Sequence, residues 1–286
     1  FKGFELTQNK KFNFKENILL KTDEFTDPYW LKKEASLGMY RVDSLQLIGK
    51  PETPRSIKID FNLIINYMSI TITKNVVFRY AERDQGEIYE PFEILPKITT
   101  KLKDKVLIFS DSIPKTIRVG IKAGASYVSG KVRLKIPENW SVSPEEINFN
   151  IIQKNDKQTV EFLVTPPKEQ SEGIIEVIAV SEGVVYDKEL VEINYNHIPK
   201  QSVLSNSEAK VVRLNIQKAG NYIGYIKGAG DAVPESLRQI GYTVVDINPT
   251  EINDKNLAKF DAIVLGIRAY NVLKELKFKQ KFLLAY

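Results

Sequence analysis

Cysteine is absent from the 286 residues of this chain. Its absence excludes disulfide bonds, thiolate metal sites and cysteine nucleophiles. A chain without cysteine is compatible with the cytosol and equally with a bacterial periplasm, so this absence does not decide the compartment. We expect a periplasmic or secreted location in preference to a cytoplasmic one.

Histidine is nearly absent, since His197 is the single one. A hydrolytic zinc site usually needs two or three histidines with carboxylates at fixed spacing. A Ser-His-Asp triad would have to use this same residue, and no G-x-S-x-G segment accompanies it. We therefore predict that this chain holds no metal, no cofactor and no catalytic residue.

Long apolar runs and clusters of one charge are also missing. No apolar stretch approaches the roughly 18 to 20 residues that cross a bilayer. The net charge is +5, from 41 basic and 36 acidic residues, but basic and acidic residues are interleaved along the chain. A nucleic-acid surface needs clustered basic residues, so we predict no nucleic-acid partner and no membrane span. The sequence starts at Phe1 without an initiator Met or a signal segment, which indicates processing or excision from a longer protein.

Alternation of apolar and polar residues dominates the first two thirds of the sequence. Residues 57–63, 70–72 and 76–80 alternate before a break at the prolines 91 and 96. A second set of alternating segments covers 117–121, 132–136, 147–151, 160–164, 174–180 and 191–195. Short strands at this spacing, with polar turns between them, are typical of sandwiches. We predict a β-sandwich over residues 1–96 and an immunoglobulin-like β-sandwich over 97–197.

After residue 197 the pattern changes. Residues 198–208 are polar and are predicted to be a linker. The pattern then predicts strands at 222–226, 243–247 and 261–267, and helices at 234–240, 254–260 and from 273 onward. This order is typical of a parallel sheet, and three strands are fewer than the usual five or six. The predicted fold is therefore multi-domain, with two all-β immunoglobulin-like sandwiches followed by a partial α/β, flavodoxin-like domain over 209–286.

A glycine turn after the first of these later strands is one candidate site. Gly228 and Gly230 stand between a strand and a helix, where phosphate-binding loops occur, although Val233 replaces the third glycine of G-x-G-x-x-G. Arg268 follows the third strand, and the carboxyl ends of parallel strands lie at one edge of a sheet. Gly228, Gly230, Asp231 and Arg268 are therefore candidate ligand-binding residues. The alternative is an ordinary tight turn.

Three aromatic residues are a second candidate site. Tyr29 and Trp30 follow a proline, and Trp140 lies in a turn. Flat aromatic faces on loops stack on sugar rings, so these residues are candidates for glycan stacking. The alternative is that a tryptophan near a strand end closes the end of a core.

Five segments are distinctive, namely GYIKGAGD at 224–231, PESLRQIGY at 234–242, FDAIVLGIRAYN at 260–271, DPYWL at 27–31 and GEIYEPF at 86–92. Together they resemble the C-terminal region of large bacterial PIG-L/LmbE-like deacetylases. The resemblance implies sandwich domains, then a class I glutamine-amidotransferase-like domain, behind an N-terminal zinc domain that removes acetyl groups from N-acetylglucosamine-type sugars. The family's A-H-P-D-D-E segment has no counterpart here, so no catalytic residue is carried over and zinc is expected only in the absent catalytic domain.

Three functions remain open at this point. The first is a non-catalytic accessory segment that supports or positions a deacetylase domain of the same polypeptide. The second is a carbohydrate-binding β-sandwich module with a glycan partner. The third is an enzyme whose site lies in the missing half of the α/β domain.

Overall fold

The protein is described by a computed structural model that covers residues 5, 7–13, 15–20, 24–55, 57–195 and 197–284. Strands account for 44% and helices for 11% of the structure. A 3-10 turn at Leu45–Leu47 precedes the first strand. The chain then forms two hairpins, a β-sandwich and a small parallel sheet.

Two separate hairpins follow one another in the N-terminal part. β1 (Lys58–Ile65) pairs antiparallel with β2 (Met68–Asn75), and β3 (Val77–Glu82) pairs antiparallel with β4 (Gly86–Pro91). Alternation places Phe61, Ile72 and their apolar neighbours on one face of the first hairpin. This face is open, because Phe61 is 48% exposed and Ile72 is 41% exposed.

A β-sandwich forms the centre of the described chain. Its strands and the hairpin packed on it are β5 (Ile98–Leu102), β6 (Val106–Phe109), β7 (Lys115–Ala123), β8 (Val128–Lys135), β9 (Ser141–Ser143), β10 (Glu146–Ile151), β11 (Lys157–Thr165), β12 (Ser171–Ser181), β13 (Val184–Tyr186), β14 (Lys188–Ile193), β15 (Gln201–Asn206) and β16 (Glu208–Arg213). One sheet has the order β10-β8-β12-β16-β6, with β13 beside β12, and the other has the order β5-β7-β11-β9. β14 and β15 form a hairpin of their own.

The sandwich core is built by the inward-facing half of each alternating strand. Phe109, Phe162 and Ile175 are completely buried between the two sheets. Each such side chain contributes about 1.5 to 3 kcal/mol by leaving water. The prediction of β-sandwich architecture is confirmed for this part of the chain.

The C-terminal part is a three-stranded parallel sheet with short helices. Its elements are β17 (Tyr222–Ile226), α1 (Val233–Gln239), β18 (Thr243–Asp246), a 3-10 turn (Pro249–Glu251), α2 (Asp254–Leu257), β19 (Ala262–Leu265), α3 (Ala269–Val272) and α4 (Leu276–Leu283). The strand order is β18-β17-β19. Each predicted strand and helix of this region is therefore present, although several are shorter than expected.

The predicted fold class is wrong. A flavodoxin-like domain needs long helices on both faces of its sheet, whereas the helices here have four to eight residues and helix is a minor part of a mostly β structure. The first predicted sandwich is also replaced by the two hairpins, whose sheets do not join. The alternation in 57–80 was a correct signal for strands, but it carries no information about whether a second sheet covers them.

The predicted linker is structured as well. Residues 201–206 form β15, and residues 208–213 form β16, which lies between β12 and β6 in the six-stranded sheet. Ala209 and Val211 face the core and are buried, while Lys210 between them is exposed. The period-2 signal was thus present in the sequence at 209–213, beyond the boundary that we had set for the sandwich.

Candidate functional site

The carboxylate of Asp231 organises the predicted glycine-turn site. Its Oδ1 accepts hydrogen bonds from the Tyr225 hydroxyl (2.7 Å) and the backbone N–H of Val233 (3.1 Å). Its Oδ2 accepts from the backbone N–H of Ile267 (2.8 Å). These bonds, led by the one from Ile267, hold the pKa of Asp231 below its usual range. Burial and the hydrogen bond to Asp231 raise the pKa of Tyr225 to about 12.

Both candidate glycines are explained by the backbone. A Cβ on Gly228 would lie 2.1 Å from the carbonyl oxygen of Ile267, so only glycine fits where the turn meets the end of β19. The adjoining N–H of Ala229 donates to that same oxygen at 2.8 Å. Gly230 has a φ of +116°, which other residues rarely adopt. The structure thus joins the glycine turn to the segment that precedes Arg268.

Arg268 lies at the same edge of the sheet but outside this hydrogen-bond network. Its backbone is left-handed, with a φ of 56°, and its side chain is exposed just before α3. Its backbone carbonyl accepts from the N–H groups of Asn271 and Val272, whereas its side chain makes no hydrogen bond or ion pair with any residue that the structure describes. Because Asp231 already uses the N–H groups of Val233 and Ile267, an anion would have to displace this carboxylate to bind there.

The three aromatic candidates lie in different surroundings. Trp140 is 6% exposed, its ring meets that of Phe109 edge-on at 5.1 Å, and its Nε1 donates to Ser171 Oγ at 3.1 Å. This burial is incompatible with stacking on a glycan, and Trp140 closes the core instead. Tyr29 and Trp30 are half-buried and pack edge-on at 4.9 Å, with the Tyr29 hydroxyl donating to the carbonyl of Lys50.

His197 lies at the surface and stacks on Tyr195, with 5.8 Å between ring centres. Among the residues described, no group of three or more histidine, cysteine, aspartate or glutamate side chains is placed to hold a metal ion. No helix of the described chain is long and apolar enough to cross a membrane.

A contact between the sandwich and the C-terminal sheet was not predicted from the sequence. β6 is an edge strand of the six-stranded sheet, and the side-chain amide of Gln239 in α1 pairs with its free backbone groups. Gln239 Oε1 accepts from the N–H of Ile108 at 2.6 Å, and Nε2 donates to the carbonyl of Val106 at 3.1 Å. Lys115 Nζ donates to the carbonyls of Ile108 and Gln239. We call this set of hydrogen bonds the Gln239 contact. It occupies the free edge of β6, which could otherwise pair with a strand of another chain.

The sequence also did not predict a basic groove that the structure contains. It lies on the outer face of the four-stranded sheet, has a volume of about 400 Å³, and runs across β7 between β11 on one side and β5 with β14 on the other. Its cationic side chains are Lys101, Lys103, Arg118, Lys122 and Lys157. We call it the β7 groove. In the sequence these cations are interleaved with acidic residues, but alternation and strand pairing bring them to one face.

No protein-family model and no curated protein matches this sequence. Among solved structures, it is similar to WR4, a Caenorhabditis elegans member of the MSP family, with 11% identity, 41% of this chain and 98% of that chain covered, and a TM-score of 0.24. It is also similar to the human F-spondin reeler domain, with 9% identity, 41% and 89% covered, and a TM-score of 0.23. Similarity at this level carries no argument about function.

Proposed function

We propose that this chain is a non-catalytic accessory unit that helps to hold a catalytic domain of the same polypeptide in place. The resemblance to PIG-L/LmbE-like proteins suggests that this domain is a zinc-dependent sugar N-deacetylase, located in the periplasm or outside the cell. Zinc would then belong to that domain and not to the residues described above.

The observation that carries this proposal is the Gln239 contact. Units joined only by a linker move relative to one another unless their interface is substantial. Here the side chain of Gln239 forms two hydrogen bonds to β6, and Lys115 ties α1 to the same strand. The ammonium of Lys115 also lies 5.1 Å from the ring centre of Phe109, and burial lowers the pKa of Lys115. Such a contact fixes an orientation, which is what a positioning unit requires.

The non-catalytic part of the proposal is tested with the purified chain. We expect no acetate release from N-acetylglucosamine derivatives in the presence of zinc, because the described residues assemble no metal site and His197 stacks on Tyr195 at the surface. Acetate release above a no-protein control, and abolished in His197→Ala, would overturn this part.

The deacetylase part is tested by the coding sequence on the N-terminal side of this chain. We expect the same reading frame to encode an A-H-P-D-D-E segment and a later histidine. A frame that encodes an unrelated domain would remove the deacetylase and leave only the positioning role.

A glycan-binding module is the second candidate function. The observation that favours it is the β7 groove, a basic groove with polar threonine side chains in its lining.

A further inference from the structure

Two cations of the β7 groove, Lys122 and Lys157, face each other on neighbouring strands. Lys122 of β7 stands between Thr99 of β5 and Lys157 of β11, and in the next row Gly120 stands between Lys101 and Thr159. Like charges directly opposite each other on neighbouring strands are destabilising. The ion pair of Lys122 with Glu192 offsets part of this repulsion, and Lys157 adds a further positive charge beside it.

Only some of these cations are compensated within the protein. Lys101 pairs with Glu189 at 3.0 Å, Arg118 with Glu161 at 2.8 Å and Lys122 with Glu192 at 2.9 Å. Lys103 and Lys157 form no ion pair with the residues that the structure describes. The groove therefore has an excess of positive charge, and its ends are available to an anionic ligand.

Gly120 leaves the floor of the groove open. A Cβ added there would have only one neighbour within 4 Å, the carbonyl oxygen of Lys101 at 3.8 Å, so the fold itself would accept a side chain. At Gly130 and Gly173, by contrast, an added Cβ would meet Val180 at 2.2 Å and Pro137 at 2.4 Å. Glycine weakens a strand interior and often marks the close approach of a ligand. Gly120, in the middle of a central strand, fits this description.

The shape and chemistry of the groove narrow the ligand class. Its volume falls within the range of about 300 to 1,000 Å³ that is typical of small-molecule sites. The two cations without an ion pair lie on opposite sides of β7, Lys103 just after β5 and Lys157 in β11, which suits a ligand with more than one negative group. No aromatic side chain lines the groove to stack on nucleobases. Glu192 in its wall disfavours a uniformly charged polyphosphate and suits a ligand that also carries hydroxyl groups.

We propose that the β7 groove binds an acidic oligosaccharide over the open floor at Gly120. Lys103 and Lys157 contact its carboxylate or sulfate groups, and Thr159 contacts its hydroxyl groups. This site is independent of the accessory role, and either proposal stands if the other fails.

The test is isothermal titration calorimetry on the purified chain with an oligogalacturonate hexasaccharide and a chondroitin sulfate hexasaccharide. A neutral cellohexaose is the control ligand, and the two acidic probes distinguish carboxylate from sulfate recognition. We expect at least one acidic probe to bind and its affinity to fall as salt is raised. We expect no heat with the neutral one.

Two groove variants and one control separate binding from folding. Gly120→Val is expected to weaken binding by at least about tenfold while its melting temperature stays equal or rises, since valine favours strands. Lys157→Gln is expected to weaken binding about two- to fivefold, as for an exposed ion pair. Lys168→Gln removes the same charge from a loop beyond the far end of β11 and is expected to change nothing.

Three results would overturn the proposal. The first is no binding of either acidic hexasaccharide. The second is unchanged affinity in both Gly120→Val and Lys157→Gln. The third is equal or tighter binding of single-stranded DNA or of anionic phosphatidylglycerol vesicles, which would assign the groove to a different partner class.

Discussion

At the scale of single residues, buried polar groups of the sandwich are used to join its parts. Glu189 of β14 is 2% exposed, and its carboxylate accepts hydrogen bonds from Lys101 at 3.0 Å and Lys105 at 2.6 Å. Burial alone would raise the pKa of Glu189, but the bonds from Lys105 and Lys101 outweigh burial and lower this pKa. Glu189 thus ties the β14–β15 hairpin to β5 and to the segment that connects β5 with β6.

The lowered pKa of Glu189 predicts a pH-dependent contribution to stability. A group whose folded pKa lies below its unfolded value stabilises the fold above the unfolded pKa and loses this effect as the pH falls through the folded pKa. We expect Glu189→Gln to lower the free energy of unfolding by about 1 to 3 kcal/mol at pH 7. The difference should begin to shrink as the pH falls below the ordinary glutamate pKa of about 4.3, where the unfolded chain takes up the proton, and it should shrink further through the lowered pKa of folded Glu189. Urea unfolding at pH 7 and pH 3 measures both values.

A matched control is Glu176→Gln, which removes an exposed carboxylate paired with Lys135 at 2.8 Å. We expect almost no change for this variant at either pH, because exposed ion pairs contribute little. An equal loss for both variants, or a loss for Glu189→Gln that is as large at pH 3 as at pH 7, would contradict this assignment.

Residue roles were the least predictable part of the sequence. Asp231 was predicted as a candidate ligand-binding residue, and its bonds to Tyr225 and Ile267 depend on the parallel pairing of β17 and β19. Trp140 was predicted to lie in a turn, and its ring is buried because it packs against Phe109 on another strand. Long-range contacts of this kind leave no periodic signal in the sequence.

At the scale of elements, the β1–β2 hairpin and the sandwich differ in whether a second sheet covers their apolar face. Phe61 in β1 and Phe162 in β11 occupy equivalent places in alternating strands, yet Phe61 is 48% exposed and Phe162 is fully buried. The sandwich gains its stability from facing sheets. The β1–β2 hairpin has no such partner sheet in the described chain, and isolated two-stranded hairpins are marginally stable.

This contrast predicts unequal effects of the same substitution. Phe162→Ala is expected to lower the free energy of unfolding by about 3 to 5 kcal/mol, because it leaves a cavity in the core. Phe61→Ala is expected to cost less than about 1 kcal/mol, because it removes a side chain that is already half in water. Urea unfolding followed by circular dichroism compares the two. A loss for Phe61→Ala as large as that for Phe162→Ala would show that this face is covered in solution.

Elements were the most predictable part of the sequence. The alternation of 117–121 and 160–164 correctly predicted β7 and β11, and the apolar run at 222–226 correctly predicted β17. Fold class failed because it depends on how many strands pair and how long the helices are, and neither is encoded in a local period. The same limit explains why β16 was assigned to the wrong side of a boundary.

At the scale of the whole molecule, α1 contacts the edge of the sandwich and links it to the C-terminal sheet. Gln239 of α1 bonds to Val106 and Ile108 on the free edge of β6, so the two parts are expected to hold one orientation. A positioning role for this chain requires this orientation to be fixed. The absence of cysteine makes the orientation measurable, because labels can be introduced at chosen positions without background.

The most direct test is the distance distribution between two spin labels, measured by pulsed electron paramagnetic resonance. The labels are placed at Lys154→Cys in the sandwich and Lys255→Cys in α2, both at exposed positions. We predict one narrow distribution in this protein, a broader one after Gln239→Ala, and no change after Glu235→Ala on the same helix. A broad distribution before any change at Gln239 would show that the two parts move independently, and it would contradict the positioning role.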